Sequence, residues 1–373
     1  MIKILISGDF CPIHRVEQLA LNGSYDKIYN DFINVLEDND FNITNLECPL
    51  YNGRGAIPKT GPNLKVDESL IKSLVYGKFH LVTLANNHIM DFGYNGLKST
   101  LEVCKRENIA TVGAGYNLAE AHIPFYKMIK GKRIAILNFA ENEFSTTQDE
   151  RPGANPLNPI TNFYDIKEAR SKADFVFVIV HGGHEHYQLP SPRMQETYRF
   201  FINAGADAVI GHHTHCFSGY EIYQGKPIFY SLGNFIFDWP GERNKDWNKG
   251  YAIQFIIENN NITFKIYSYI QGDQKPGVTL MVEKEQELFD NNLLLLNQQI
   301  SNTLQLEEKF QDFFQTRINS FPVNFEPYTN KYLCELFNRG LLPSFASKRK
   351  KRLLLNIIRC ETHRELLLKS LND

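Results

Sequence analysis

Over its first 215 or so residues the chain alternates short apolar runs with stretches whose apolar positions recur every three or four residues. The runs at 2–7, 42–46, 80–85, 109–112, 133–139, 175–180 and 207–210 predict strands. The amphipathic stretches near 25–38, 67–77, 94–107, 163–172 and 191–204 predict helices. This alternation predicts an α/β layered fold with helices flanking sheets. From 217 to 270 the pattern changes. Runs at 217–223, 226–231, 250–258 and 261–270 predict antiparallel strands, with turns at Gln224-Gly225 and at Asn259-Asn260-Asn261. Beyond 280 it changes again, to Leu-, Gln-, Glu- and Asn-rich helical spacing over 283–315 and a further helical stretch over 347–371. These shifts divide the chain into a domain over 1–279 and a helical C-terminal region over 280–373.

Composition narrows the picture. Hydrophobic residues make up 43% and charged residues 22% of the 373, as in a water-soluble folded protein. The net charge of -2 gives no reason to expect a nucleic-acid partner. No apolar run approaches the roughly 18 residues that span a membrane. The N-terminal run is too short for a signal peptide and leads straight into Gly8-Asp9, so the expected location is the cytoplasm. The six cysteines show no paired spacing and are expected as free thiols.

Polar motifs follow the apolar runs. Asp9 is a carboxylate at the end of the first strand, where a turn residue is the simpler reading. Glu47 closes the second and could bridge two cations, with Asn45 orienting it. In Ala85-Asn86-Asn87-His88, Asn87 offers a neutral oxygen ligand and His88 stands beside substrate; Asp91 can hold the tautomer of His88, or the segment is a polar loop capping the next helix. His181 ends the apolar run 176–180 as a ligand candidate. His184 and Glu185 after it are either substrate contacts or solvated loop residues. In Gly211-His212-His213-Thr214-His215, an extended chain would present His213 and His215 on one side. Asn234 could reach a phosphate oxygen or form a structural turn, and Lys59 could hold an anionic group. Six polar motifs, each beside an apolar run, suit a site at strand ends better than core packing. The loops 52–66 and 141–162 are polar enough to form the rim of a cleft.

The order of the motifs resembles the CapA family, the poly-γ-glutamate capsule-type branch of the calcineurin-like metallophosphoesterase superfamily. The matching strings are GDF at 8–10, NLE at 45–47, ANNHIMDFG at 85–93, HGGHE at 181–185, GHHTH at 211–215 and SLGNF at 231–235. The resemblance implies a four-layer αββα sandwich around two divalent metal ions (Mn, Fe or Zn). It implies that Asp9 and His215 bind one metal, that Asn87, His181 and His213 bind the other, that Glu47 bridges them, and that His88 is the nearby acid. Where the superfamily has a second early histidine this chain has Cys11, and His14 is an outside candidate for that place. Gly182 stands where the family has an aromatic residue, a departure expected to widen or re-tune the pocket.

The expected function is a dinuclear metal-dependent phosphoesterase serving capsule or surface-polymer synthesis, with a phosphorylated small molecule or an acidic surface polymer as its partner. Two rivals stand beside it: a metal-dependent amide hydrolase or transferase acting on poly-γ-glutamate, and a non-catalytic assembly factor. The basic run Lys348-Arg349-Lys350-Lys351-Arg352 is either a solvated helix face or a peripheral contact to anionic lipid.

Overall fold

The strand β1 (Ile2–Cys11) has different neighbours along its two halves, and the architecture follows from that. Ile2–Ile6 pair antiparallel with β14 (Lys249–Glu258), whereas Asp9–Cys11 pair parallel with β13 (Asn234–Phe237). On its other side β1 runs parallel to β2 (Phe41–Leu46), then come β3 (Leu81–Thr83) and β4 (Ala110–Val112). Beyond β14 the sheet ends with β15 (Asn261–Gln271) and β16 (Val278–Leu280). The computed structural model describes residues 1–317, 326–360, 362–364 and 367.

A second sheet has the order β11 (Tyr220–Tyr223), β12 (Lys226–Phe229), β10 (Ala208–His212), β9 (Phe175–His181), β7 (Lys132–Ala140), β6 (Phe125–Ile129). Two short strands, β5 (Ala114–Gly115) and β8 (Gly153–Ala154), pair separately.

Alternation along the strands sorts side chains between two cores. Ile2, Ile4 and Ile6 of β1, Phe41 and Ile43 of β2 and Leu81 of β3 pack with Phe177, Ile179 and Ile210 of the second sheet. Leu5, Leu46 and Val82 point the other way, toward Val16, Phe32, Leu74 and Leu97 on the helical segments that cover the first sheet. Helices Pro159–Lys172 and Pro192–Ala204 cover the outer face of the second sheet through Ile166, Ala169, Tyr198 and Phe201. The result is the expected αββα sandwich, with both faces of each sheet covered, which is why the central strands are continuously apolar.

The two expected hairpin turns are present. Gln224 and Gly225, and Asn259 and Asn260, all have positive φ, as the tight turns between Tyr223 and Lys226 and between Glu258 and Asn261 require. The patterning showed no sign of β6 or β16.

One compact unit extends to Glu307, later than the boundary expected at 279. The reason is the helix Glu283–Ser301, which buries Phe289, Leu293, Leu296 and Ile300 along one stripe. Phe289 packs on Phe217 with ring centroids 4.4 Å apart, and the Ile300 carbonyl accepts from Gln195 at 2.9 Å. The second unit, Glu308–Asp373, has its own small helices, Lys331–Asn338 and Lys348–Arg359. There Glu326 accepts the backbone N–H of Phe345 at 2.7 Å, and Tyr328 packs against Phe337. Lys348–Arg352 form the exposed first turns of a helix capped by Ser347. Of the helix expected over 347–371, residues 361, 365, 366 and 368–371 lie outside the described residues. Among the described residues no helix is long and apolar enough to cross a membrane.

Gly8 sits where β1 changes neighbours. A Cβ there would lie 1.9 Å from the Gly233 carbonyl oxygen, the oxygen that accepts Asp9 N–H at 3.1 Å. Gly8→Ala is expected to lower stability by about 3 kcal/mol, the upper end for overpacking, read as a fall in the urea midpoint.

Candidate metal centre

Strand register builds half of the centre. Asp9 of β1 stands beside Asn45 of β2 on one side and Asn234 of β13 on the other, and Asn45 stands beside Thr83 of β3. Residues abreast in a sheet share a face, so four polar side chains form one row. The register shifts on either side of Asp9, the kind of bulge that re-aims a side chain. Within the row Thr83 Oγ1 donates to Asn45 Oδ1 at 3.3 Å, and Asn45 Nδ2 donates to Asp9 Oδ1 at 2.8 Å.

The second sheet supplies the other half. His181 ends β9 and His212 ends β10, side by side. His213 and His215 lie past the strand, with φ of 91° and 57°. The expectation that an extended chain aligns them is therefore corrected: a turn in the left-handed region brings both imidazoles inward. Such backbone is uncommon for residues other than glycine and gathers at functional sites. The turn is tied down where His213 N–H donates to Asp9 Oδ2 at 3.2 Å.

These segments bring the expected ligands together. His181 Nε2 lies 3.5 Å and His215 Nε2 3.7 Å from Glu47 Oε1. His181 Nε2 is also 3.1 Å from Asn87 Oδ1 and 3.1 Å from His213 Nδ1. Three groups present ligand atoms within 4.8 Å of one another: Glu47, His181 and His213; Asp9, Glu47 and His215; and Glu185, His213 and His215. Glu47 belongs to two of them. Neither Cys11 nor His14 belongs to a group among the described residues. Cys11 lies in the apolar core, where burial and then Cys48 push its thiol well above its ordinary value. His14 is exposed, with its ring nearly perpendicular to that of Trp239, centroids 5.9 Å apart.

The electrostatics fit divalent cations. Glu47 is wholly buried, and neither oxygen has a hydrogen-bond partner among the described residues. Burial, and then Asp9 and Glu185, push its carboxyl well above the ordinary range. Burial pushes His181 well below its ordinary value and His215 down to about 4, so both imidazoles are neutral, as metal ligation requires. Burial also acts on Asp9, but His212, with His181 and His215, outweighs it and holds Asp9 below the usual carboxylate range. A buried carboxylate without donors beside neutral imidazoles is an arrangement that cations complete.

The remaining expected residues are placed as follows. His88 Nδ1 donates to Asp91 Oδ2 at 2.7 Å. Asp91 also accepts Leu64 N–H at 2.6 Å and pairs with Lys59, so it holds a loop and an imidazole and does not cap the following helix. Lys59 is buried, with Nζ 3.3 Å from His88 Nδ1, and its charge is spent on this pair. Asn234 Oδ1 lies 2.9 Å from His215 Nδ1, while its amide donates to the carbonyls of His215 and Trp247; it orients the His215 imidazole. His184 and Glu185 are exposed in the turn after β9, with Glu185 in one ligand group. A Cβ at Gly182 would lie 2.6 Å from Glu141 Cγ, so that glycine makes room for Glu141 beneath the turn.

Sequence reading passed over His212. It is buried, 3.0 Å from Asp9 Oδ1, at the end of β10, which runs two residues past the strand expected over 207–210. It also passed over Trp247, whose ring packs on His215 with centroids 4.7 Å apart.

Fold and site together define an αββα sandwich with a cluster of buried histidines and carboxylates where its two sheets meet. The family model described as "Bacterial capsule synthesis protein PGA_cap" matches residues 3–239. The chain belongs to this family, the CapA family that its six motifs resemble. It is 32% identical over 262 residues to the capsule biosynthesis protein CapA of Bacillus anthracis, an alignment covering 68% of this chain and 63% of that one. It is 33% identical over 257 residues to the PGA biosynthesis protein CapA of Bacillus subtilis (strain 168), covering 68% and 67%. The chain thus spans under two thirds of the length of the Bacillus anthracis relative. A crystal structure of a hypothetical protein from Thermus thermophilus aligns with 72% of this chain and 99% of its own at 13% identity and a TM-score of 0.46.

A depressed histidine makes acid stability depend on the centre. His215 takes up a proton more readily unfolded, near pH 6.5, than folded, near pH 4, so its contribution is present above the first value and lost as pH falls toward the second. Chelator-treated protein is expected to lose stability between those values, by about 3 kcal/mol at most from this residue. His215→Gln should remove that share of the slope, read from urea midpoints across the same pH range.

Proposed function

We propose that this chain is a metal-dependent phosphoester hydrolase acting in the synthesis of a capsule or other surface polymer. The observation that carries the reading is Glu47. It is buried without hydrogen-bond donors and shared by two histidine-bearing ligand groups, and His181, 3.5 Å from it, lies 3.1 Å from Asn87, the residue before His88 of the His88–Asp91 pair. The relatives' names place them in capsule and poly-γ-glutamate synthesis, and we extend that setting to this chain.

Asp9, Glu47 and His215 would hold one divalent ion, and Asn87, His181 and His213, again with Glu47, a second. Bound there, such a pair supplies Lewis-acid stabilisation of phosphoryl oxygens and activation of water. The chain's own groups do the rest. Asp91 engages Nδ1 of His88 and leaves Nε2 as the nitrogen available to the cleft, which His88 lines together with His215. A proton held on Nε2 is delivered to the departing alkoxide. Lys59 and Leu64 N–H pin Asp91, so the imidazole enters the reaction already oriented. Asn234 and Asn45 fix His215 and Asp9 in the same way.

Elemental analysis of the full chain, paired with alkyl and aryl phosphoesters, tests this. About two metal ions per chain with phosphate release is the expected result. Release of free amine from poly-γ-glutamate without phosphate release would replace the phosphoester with an amide as the bond cleaved. A chain that takes up no metal would sink the reading.

His88→Asn is expected to retain the metals and to lower turnover of an alkyl phosphate by about 10²–10⁴-fold. Its effect on an aryl phosphate, whose leaving group needs little protonation, should be much smaller. Equal losses on both would remove His88 as the acid.

A further inference from the structure

The unit Glu308–Asp373 carries many apolar side chains and little core to hold them. Among its described residues only Glu326 and Ala346 are buried. Leu341, Phe345, Leu353, Leu355 and Ile358 are all exposed. Large apolar groups gathered this closely on a surface mark a place that something else covers.

The exposure is built into the backbone. Glu326 accepts the N–H groups of Phe345 at 2.7 Å and Ala346 at 3.2 Å, together with the Ser344 hydroxyl. The chain is fixed there, yet the Phe345 side chain stays 62% exposed. Ser347 then caps the helix Lys348–Arg359 by accepting Lys350 N–H at 3.2 Å. Leu354 and Ile357 of this helix are half-buried, so that side turns inward. Leu355 and Ile358, three residues apart, are neighbours on an exposed flank. Lys351, four residues before Leu355, and Lys348, seven before it, stand on the same flank. Cations therefore lead directly into an apolar strip on one side of the helix.

The charge of the unit is as uneven as its hydropathy. Residues 308–373 hold twelve Lys and Arg against seven Asp and Glu, in a chain whose net charge is -2. Five of the twelve are consecutive, Lys348 to Arg352, and all five are exposed. Among the described residues none of the five forms an ion pair; Arg352 Nε donates back to the Lys348 carbonyl at 3.3 Å. Acids of the unit are engaged elsewhere: Glu326 by the backbone of Phe345, Glu335 by Arg339 at 2.8 Å and Asp312 by Lys309 at 3.8 Å. Cations crowded into little more than one turn repel one another and are relieved by a surface of opposite sign.

A soluble polyanion such as poly-γ-glutamate would meet the cations but leave Phe345, Leu355 and Ile358 in water. A second copy of the chain would cover the apolar strip but bring two basic runs together. An anionic bilayer answers both: its headgroups neutralise the cations, its acyl boundary takes the apolar side chains, and the lysine stems bridge the two depths. Among the described residues no helix is long and apolar enough to cross a membrane, so the contact lies in the plane of the interface. We propose that the helix Lys348–Arg359, with Phe345 before it, docks this chain on an anionic lipid surface. The inference stands apart from the metal centre and does not depend on the phosphoesterase reading.

Co-sedimentation of the full chain with phosphatidylcholine vesicles, with and without phosphatidylserine, tests it. Binding is expected only where phosphatidylserine is present, and it should weaken as salt is raised. Lys351→Gln should weaken it about fivefold. Leu355→Ser combined with Ile358→Ser should weaken it by about tenfold or more with every charge retained. Binding to neither vesicle, or to both alike, overturns the inference, and so does binding indifferent to the loss of Leu355 and Ile358. Retention by poly-γ-glutamate without vesicle binding would make the basic run a polymer contact instead. Self-association that the same two serines abolish, again without vesicle binding, would make the strip a contact between copies. The lipid and salt dependence of the parent chain decides the matter even where a variant fails to fold.

Discussion

The centre depends on the point where β1 exchanges β14 for β13. An antiparallel neighbour alone would leave Asp9 beside a strand running the other way. The exchange puts a parallel strand there, so that Asp9 and Asn234 stand abreast and Asn234 can reach His215. The exchange requires two backbones to meet at Gly8 and Gly233, closer than any side chain allows. One crowded contact in the first strand thereby sets the alignment of residues more than 200 positions apart in the chain.

Above that frame the charges balance only as a set. Glu47 gains nothing from hydrogen bonds, and the imidazoles around it are too deeply buried to be cations themselves. Neutral histidines cannot compensate a buried carboxylate, and breaking such a cluster by protonation is the alternative to filling it with metal. The residues that touch no ligand position still share in this. Asn45, Asn234 and the Asp91–Lys59 pair each fix the orientation of one group at the centre, which is how a buried polar network avoids the penalty of partly satisfied members.

Much of this was legible in the sequence, for identifiable reasons. Strands buried on both faces read as apolar runs, and both two-residue hairpin turns were marked by Gln-Gly and Asn-Asn. Candidate ligand residues stood out because they follow apolar runs, and loops at strand ends gather such groups. What stayed hidden depends on pairing between distant segments. The β13 strand has four residues and takes its meaning from β1, so Asn234 read as a substrate contact. Lys59 read as an anion holder because its buried partner, Asp91, is 32 residues away in sequence. The positive φ of His213 and His215 has no local signal, since neither is glycine or asparagine. The helix Glu283–Ser301 looked separable because its apolar stripe does not reveal that Phe217 and Gln195 complete it.

The wall above the centre follows the same logic of paired groups. Lys245 stands 3.1 Å from Glu242 and Lys249 3.4 Å from Asp246, so much of the charge around the hollows is balanced within the wall itself. Trp247, fixed by its hydrogen bond to the Phe237 carbonyl and packed on His215, ties that wall to the centre, so that a change in either bears on the orientation of the imidazole.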